Sequence, residues 1–282
     1  MNTQASGAGA SRPYVLGHSD REIERLKAQA QLVDPVTERF FREAGLAPGM
    51  RVLDVGSGAG DVAFLAARIV GQGGEIVGVD RAAGALAIAR ARAVEQGLDN
   101  ITFTEGDAAA MTFGRPFDAV IGRYVLQFQT DPAATLRRLA SLVRPGGVVA
   151  FHEIDWGGIS SFPPLPTFER CCRWGIEALR KHGTESRMGA RLHATFVLAG
   201  LPPPAMRLEA RIGGIPTIVP WLNLFKELIA TLLPEIERHG IATAQEVGID
   251  TLAERLIEEA RASSSVLISH YQVGAWTRTA VG

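Results

Sequence analysis

The chain has 282 residues, of which 46% are hydrophobic and 21% charged, and its formal net charge is −1. This balance supports a sizeable buried core and argues against the basic footprint of a nucleic-acid binder or a polybasic membrane surface. The two cysteines, Cys171 and Cys172, are adjacent; two are too few for a structural zinc site and neighbours are poorly placed to bridge, so they are expected as reduced thiols on a helix. No apolar run reaches the roughly 18 residues of a membrane span. The first thirteen residues lack the basic and apolar regions of a secretory leader. Their Gly, Ala and Ser content predicts a disordered tail over 1–13, followed by one domain over 14–282 in a cytoplasmic protein.

Ser19 and Glu22 form a capping-box pattern ahead of Ile23, Leu26 and Ala30 on one helical face. Asp34-Pro35 reads as the start of a second helix, with Val36, Phe40, Phe41 and Ala44 as its apolar face and Gly45 as its end. Residues 14–45 are therefore expected as N-terminal helices. After Pro48-Gly49 the rhythm becomes strand, loop, helix. Strands are expected at Arg51–Val55, Glu75–Val79, Ile101–Glu105, Phe117–Ile121 and Gly147–Ile154. Helices are expected at Asp61–Val70, Arg81–Gln96 and from Asp131-Pro132 to about Val143. Such alternation predicts an α/β, doubly wound core over 46–155, with a parallel sheet covered on both faces.

Beyond Asp155 the pattern loosens. Gly157–Pro166 reads as a loop, with helices at about Thr167–Lys181 and Gly189–Leu198 forming a cap over 156–205. Met206–Ile212 reads as a strand. Two helices, Val219–Thr231 and Thr243–Ser263, make a helical insertion over 218–263, and Val266–Thr277 reads as the last strand.

The segment Asp54-Val55-Gly56-Ser57-Gly58-Ala59-Gly60 joins the first strand to a helix. Its alternate glycines remove the side chains that would hold a ligand away from the backbone, and the helix start offers free amides and a positive dipole end. A dehydrogenase fingerprint needs G-x-G-x-x-G. Here Gly60 comes one residue early, and Asp61 stands where the third glycine belongs. Asp80 ends the second strand, where a carboxylate accepts hydrogen bonds from both ribose hydroxyls. Asp107 follows the third, where a carboxylate accepts from an exocyclic adenine amine.

These residues resemble the motifs of the class I S-adenosylmethionine-dependent methyltransferases. Leu53 to Gly60 is similar to the family's first motif, Val77-Gly78-Val79-Asp80 to its ribose-holding acidic loop, and Gly106-Asp107-Ala108 to its adenine-side motif. Phe117-Asp118-Ala119-Val120 is similar to its fourth strand and Leu142 to Gly147 to the turn before the fifth. The resemblance covers about residues 36–155 and is greatest for the small-molecule branch of the ubiquinone/menaquinone-biosynthesis type. Tyr14 to Gly17 and Gly122-Arg123 resemble bacterial members. It implies a mostly parallel, seven-stranded, Rossmann-like sheet whose last strand is antiparallel beside the fifth. It also implies S-adenosyl-L-methionine as cofactor, with methyl transfer to a small molecule by in-line displacement. Against that minimal pattern, the helices between the last two strands are an inserted cap.

The cofactor-binding candidates are Asp54, Gly56, Ser57, Gly58, Gly60, Asp80, Arg81, Asp107, Ala108 and Arg123, with Tyr14 folding over from the N-terminal segment. Arg123 is placed to pair with a carboxylate and Arg81 to lay its stem on the adenine. His152 and Glu153 end the fifth strand and are the candidates for a base or an orienting carboxylate; strand alternation lets only one of them face the site. Trp156, Trp174 and Trp221 are candidates for an apolar lid on the substrate. No ligand set for a metal accompanies His152, Glu153 and Asp155. The partners expected are a small molecule and a second copy through the helical insertion, with no nucleic acid and no membrane. Two other readings keep the fold: a cofactor-binding enzyme that does not methylate, and a scaffold protein. An NAD-dependent dehydrogenase is the remaining rival.

Overall fold

The computed structural model describes residues 20–281; the expectations for the tail, Tyr14 and the Ser19 cap lie outside them. Helix α1 runs unbroken over Asp20–Ala44, with Pro35 inside it, where two helices were expected. The Asp34 carboxylate does not cap a new helix start. It accepts instead from Arg123 Nη1 at 2.7 Å. Around the proline, Thr37 Oγ1 donates to the Val33 carbonyl within the helix and Arg211 Nη2 reaches the Leu32 carbonyl from far along the chain, so one local and one tertiary partner support the turn a proline weakens.

The alternating core follows as expected: β1 Arg51–Val55, α2 Asp61–Val70, β2 Glu75–Asp80, α3 Ala83–Glu95, β3 Ile101–Glu105, β4 Phe117–Arg123, α4 Pro132–Ala140 and β5 Val143–Asp155. Then come β6 Ser160–Phe162, α5 Pro166–His182, α6 Met188–Leu198, β7 Ala205–Glu209, β8 Ile212–Gly213, α7 Val219–Arg238, α8 Ala244–Val247, α9 Ile249–Ala262, β9 Val266–Ile268 and β10 Tyr271–Arg278. The main sheet has seven strands in the order β3-β2-β1-β4-β5-β10-β7. Strands β1 to β5 pair in parallel, and β10 runs antiparallel to both β5 and β7.

Three apolar layers hold this arrangement. Phe41, Phe64, Leu65 and Leu86 pack on one face of the sheet. Leu126, Leu136, Leu192 and Phe196 pack on the other. A third cluster lies among α5, α7 and α9, around Phe168, Trp221, Phe225, Leu252 and Leu256. Among the described residues no helix is long and apolar enough to cross a membrane.

The C-terminal part departs from expectation in five places. The loop before α5 contains β6, and a second sheet forms in the order β6-β9-β8. The strand expected at Met206–Ile212 is two strands in two sheets, and so is the one expected at Val266–Thr277. Both change sheet at one point: Ser269 N donates to the Arg211 carbonyl, and Arg211 N donates to Ser269 Oγ. A period-two pattern does not register such a crossing, because alternation continues through it. The helix expected at Thr243–Ser263 breaks into α8 and α9 at Gly248, which sits at φ +57. Helix α7 continues seven residues beyond Thr231 and passes through Pro234.

Candidate functional site

The glycine loop leaves the carboxyl end of β1 between its two parallel neighbours. Gly58 has φ +51 and Gly60 φ +93, a region that costs an L side chain strain. A Cβ on Gly60 would strike the Phe64 ring at 2.7 Å, whereas one on Gly58 would meet nothing within 4 Å. Gly60 is thus needed for packing, and Gly58 faces open space. The first turn of α2 has no side-chain cap.

Asp80 fixes the loop. Its Oδ2 accepts from Gly58 N at 2.9 Å and its Oδ1 from Ala82 N at 2.8 Å. Each oxygen retains a second lone pair for a ligand hydroxyl. Asp107 Oδ1 accepts from Ala109 N at 3.0 Å, and Arg81 Nη2 donates to Asp107 Oδ2 at 2.6 Å. Arg81 therefore ties the second strand end to the third. Asp61 pairs with Arg92, which also donates to the Ala59 carbonyl. Nothing in the sequence singled out Arg92, which lies within the helix expected at Arg81–Gln96.

A cavity of about 510 Å³ opens over this edge. Gly56, Ser57, Gly58, Asp80, Arg81, Asp107, Ala108 and Arg123 all line it, joined by Asp61, Val79, Tyr124, Val125, Phe128 and Gln129. Gly60 and Asp54 do not. Asp54 lies beneath the loop, 1% exposed. Burial pushes its carboxyl well above the usual range, opposed by the charge of Arg123 and reinforced by Asp80 and Asp61. Among the described residues Ser57 Oγ has no hydrogen-bond partner, while the Asp54 carboxylate is met by the Ala63 backbone amide, so polar capacity is left at the cavity wall.

Arg123, the last residue of β4, is buried. It pairs with Asp34 and donates to Thr37 Oγ1 at 3.0 Å, so one of its nitrogens is already committed to α1. His152 and Glu153 diverge as alternation requires. His152 Nδ1 lies 3.0 Å from Thr37 Oγ1 and its Nε2 2.8 Å from Gln272 Oε1. Burial, with Arg123 nearby, pushes its pKa down to about 3. Both ring nitrogens serve this packing network. Glu153 Oε1 accepts from Val125 N at 2.9 Å and Leu126 N at 2.7 Å, and burial pushes its pKa up to about 8 against those bonds. Neither residue lines the cavity. Glu153 acts on it through Val125, whose amide it holds.

Tyr124 follows β4 with φ +59, a left-handed conformation rare for a bulky side chain. Its amide donates to the His152 carbonyl and its hydroxyl to Gln272 Oε1. Of the three tryptophan candidates, Trp156 is buried and Trp174 half-buried in the third cluster. Neither borders the 510 Å³ cavity. Trp221 borders a second cavity, of about 250 Å³. His270, which the sequence gave no reason to single out, borders that one too. Among the described residues no group of three or more His, Cys, Asp or Glu side chains is placed to hold a metal.

Among curated proteins, the chain is 42% identical over 133 residues to the aklanonic acid methyltransferase DauC of Streptomyces sp. strain C5, covering 47% of this chain and 60% of that one. It is 35% identical over 121 residues to the ubiquinone/menaquinone biosynthesis C-methyltransferase UbiE of Cellvibrio japonicus, covering 42% of this chain and 49% of that one. The chain thus spans about half the length of the curated relatives it matches. The fold is similar to that of the [4+2]-cyclase SpnF, with TM-score 0.53, 22% identity, and 89% of this chain and 82% of that one covered. It is also similar to BH2331 of Bacillus halodurans C-125, with TM-score 0.55, 16% identity, and 86% and 97% covered. Residues 46–186, half of the chain and all of the glycine-loop edge, match the model of the methyltransferase domain family, and the chain belongs to that family.

Proposed function

We propose that this chain is an S-adenosylmethionine-dependent methyltransferase that moves a methyl group to a small-molecule acceptor. The observation that carries the proposal is the convergence of Gly58, Asp80 and Asp107 on one cavity of about 510 Å³. Its size falls within the usual range for small-molecule sites. The fit to an adenosyl cofactor rests on three features. The backbone at Gly58 opens on empty space. The second lone pairs of the Asp80 carboxylate suit ribose hydroxyls, and Ser57 Oγ has no partner. Asp107 lies where an adenine amine would need an acceptor.

When bound, the cofactor supplies a methyl group on a positively charged sulfonium. The chain's own residues bind, orient and exclude water. Asp80 fixes the glycine loop and the ribose together, and Arg81 holds Asp107 in place. Glu153 anchors the Val125 and Leu126 amides and so fixes that wall of the cavity. Holding the reacting groups in line and away from water is a sufficient source of rate where the nucleophile arrives unprotonated.

The DauC and UbiE relatives, named for aklanonic acid and for ubiquinone/menaquinone biosynthesis, support a small-molecule acceptor. The near-neutral charge supports neither nucleic acid nor membrane as partner, and we place the protein in the cytoplasm. A homodimer through 218–263 draws little support from packing, since Trp221, Phe225 and Leu256 are already covered within the chain. A second reading is favoured by one observation: SpnF, a [4+2]-cyclase, shares the fold, and fold alone does not fix chemistry.

Thermal shift with S-adenosylmethionine, S-adenosylhomocysteine and NAD separates the cofactors. Stabilisation by both adenosyl compounds is expected; stabilisation by NAD alone would refute the proposal. Transfer of label from methyl-labelled cofactor to a phenol, quinone, indole or amine then separates a methyltransferase from a cyclase-like enzyme.

A further inference from the structure

The second cavity, of about 250 Å³, lies between α1, α7 and the start of β10. Its walls combine apolar side chains, among them Val36, Trp221, Phe225 and Leu228, with the charged Arg39, Glu209 and Arg211. Among the described residues, Tyr124 alone borders both cavities. That residue also holds a left-handed backbone conformation, and such strain collects at functional positions. Its hydroxyl is held by Gln272, which borders the second cavity.

His270 sits two residues before Gln272. Residues two apart on an extended chain face the same side, roughly 7 Å apart. The His270 ring is 3% exposed and lies among three aromatic rings, those of Trp156 at 4.3 Å, Trp221 at 5.6 Å and Phe225 at 6.0 Å between centroids. Among the described residues its Nε2 has no hydrogen-bond partner. Buried polar nitrogens rarely stand alone, and burial keeps this ring neutral. A neutral imidazole carries one donor and one acceptor nitrogen. Of the charged residues bordering the cavity, Arg39 is paired with Glu209 and Arg211 donates to the Leu32 carbonyl. The cavity thus presents flat aromatic walls on the His270 side with one unsatisfied polar group there.

We propose that this second cavity is the acceptor subsite and that it takes a flat one- or two-ring molecule. The methyl-accepting end would lie beside Tyr124, and a hydroxyl at the opposite end would hydrogen-bond to His270. A cavity of roughly 150 Å³ already holds benzene, so this one has room for a second ring and little more. The inference rests on the methyltransferase reading only for what happens at the Tyr124 end; binding at the His270 end stands by itself.

The test is tryptophan-fluorescence titration with a naphthalenediol bearing one hydroxyl on each ring, and with naphthol, which has one hydroxyl in all. Both are measured with S-adenosylhomocysteine present, and its own binding is measured separately. The diol is expected to bind about tenfold more tightly, the value of one net hydrogen bond. His270→Phe should erase that difference. Leu228→Trp, which fills the cavity, should abolish binding of both probes while S-adenosylhomocysteine still binds. Equal affinity for the two probes in the native chain would overturn the proposal without any variant. So would probe binding that survives Leu228→Trp. Selective diol binding without S-adenosylhomocysteine binding would instead leave the subsite standing and sink the methyltransferase reading.

Discussion

His152 and Glu153 are consecutive on β5, and burial acts on them in opposite senses. The histidine is held neutral and the carboxyl is held protonated near neutrality. Strand alternation sends the two side chains apart, as the sequence implied, but neither borders the larger cavity, and the sequence could not show that His152 is enclosed by Thr37 and Gln272. Those partners come from elements far away in the chain. With its pKa near 3, His152 should show no titration between pH 5 and 8 in a histidine NMR experiment; a midpoint near the ordinary 6.5 would refute the assignment. Glu153 carries a stability consequence. Its folded pKa of about 8 lies above the ordinary 4.5, so the charged form is disfavoured by folding. The stabilising contribution is complete below about pH 4.5 and is lost as pH rises through 8. Urea denaturation should show stability falling across that window in the native chain. Glu153→Gln should remove that part of the fall; an identical pH profile in the variant would contradict the assignment.

At the scale of elements, the first half was legible and the second was only partly so. Strands β1, β2 and β4 are short, mainly apolar runs and β3 alternates apolar with polar residues, and local pattern suffices to find them. The breaks after β7 and before β10 depend on the Ser269–Arg211 exchange, a contact across 58 residues that local pattern does not contain. Helix α1 posed the same difficulty, because Asp34-Pro35 carries every local sign of a helix start. What fixes α1 is its seat on the sheet. Gly274 of β10 leaves space for Phe40, and a Cβ there would come within 2.6 Å of that ring. Gly274→Val should therefore destabilise the chain by about 1–3 kcal/mol, as overpacked cores do. Chemical denaturation measures this, and an unchanged midpoint would mean that α1 is not seated as described.

For the molecule as a whole, the cofactor edge was legible and the acceptor side was not. The glycine loop, Asp80 and Asp107 lie on three consecutive strand ends, so their convergence follows once a parallel sheet is inferred. The second cavity draws on α1, α7 and the approach to β10, whose meeting depends on long-range packing; neither Tyr124 nor His270 carries a motif. Tryptophan spacing likewise did not distinguish Trp221, which borders a cavity, from Trp156, which is buried beside one. Asp80 joins the loop to the ligand in this account, so the most direct test is a calorimetric titration of S-adenosylhomocysteine into the native chain and into Asp80→Ala, with NAD as the control. One site per chain, at least tenfold weaker binding in the variant and no heat from NAD are expected. One-site binding of NAD with no response to S-adenosylhomocysteine would contradict that expectation.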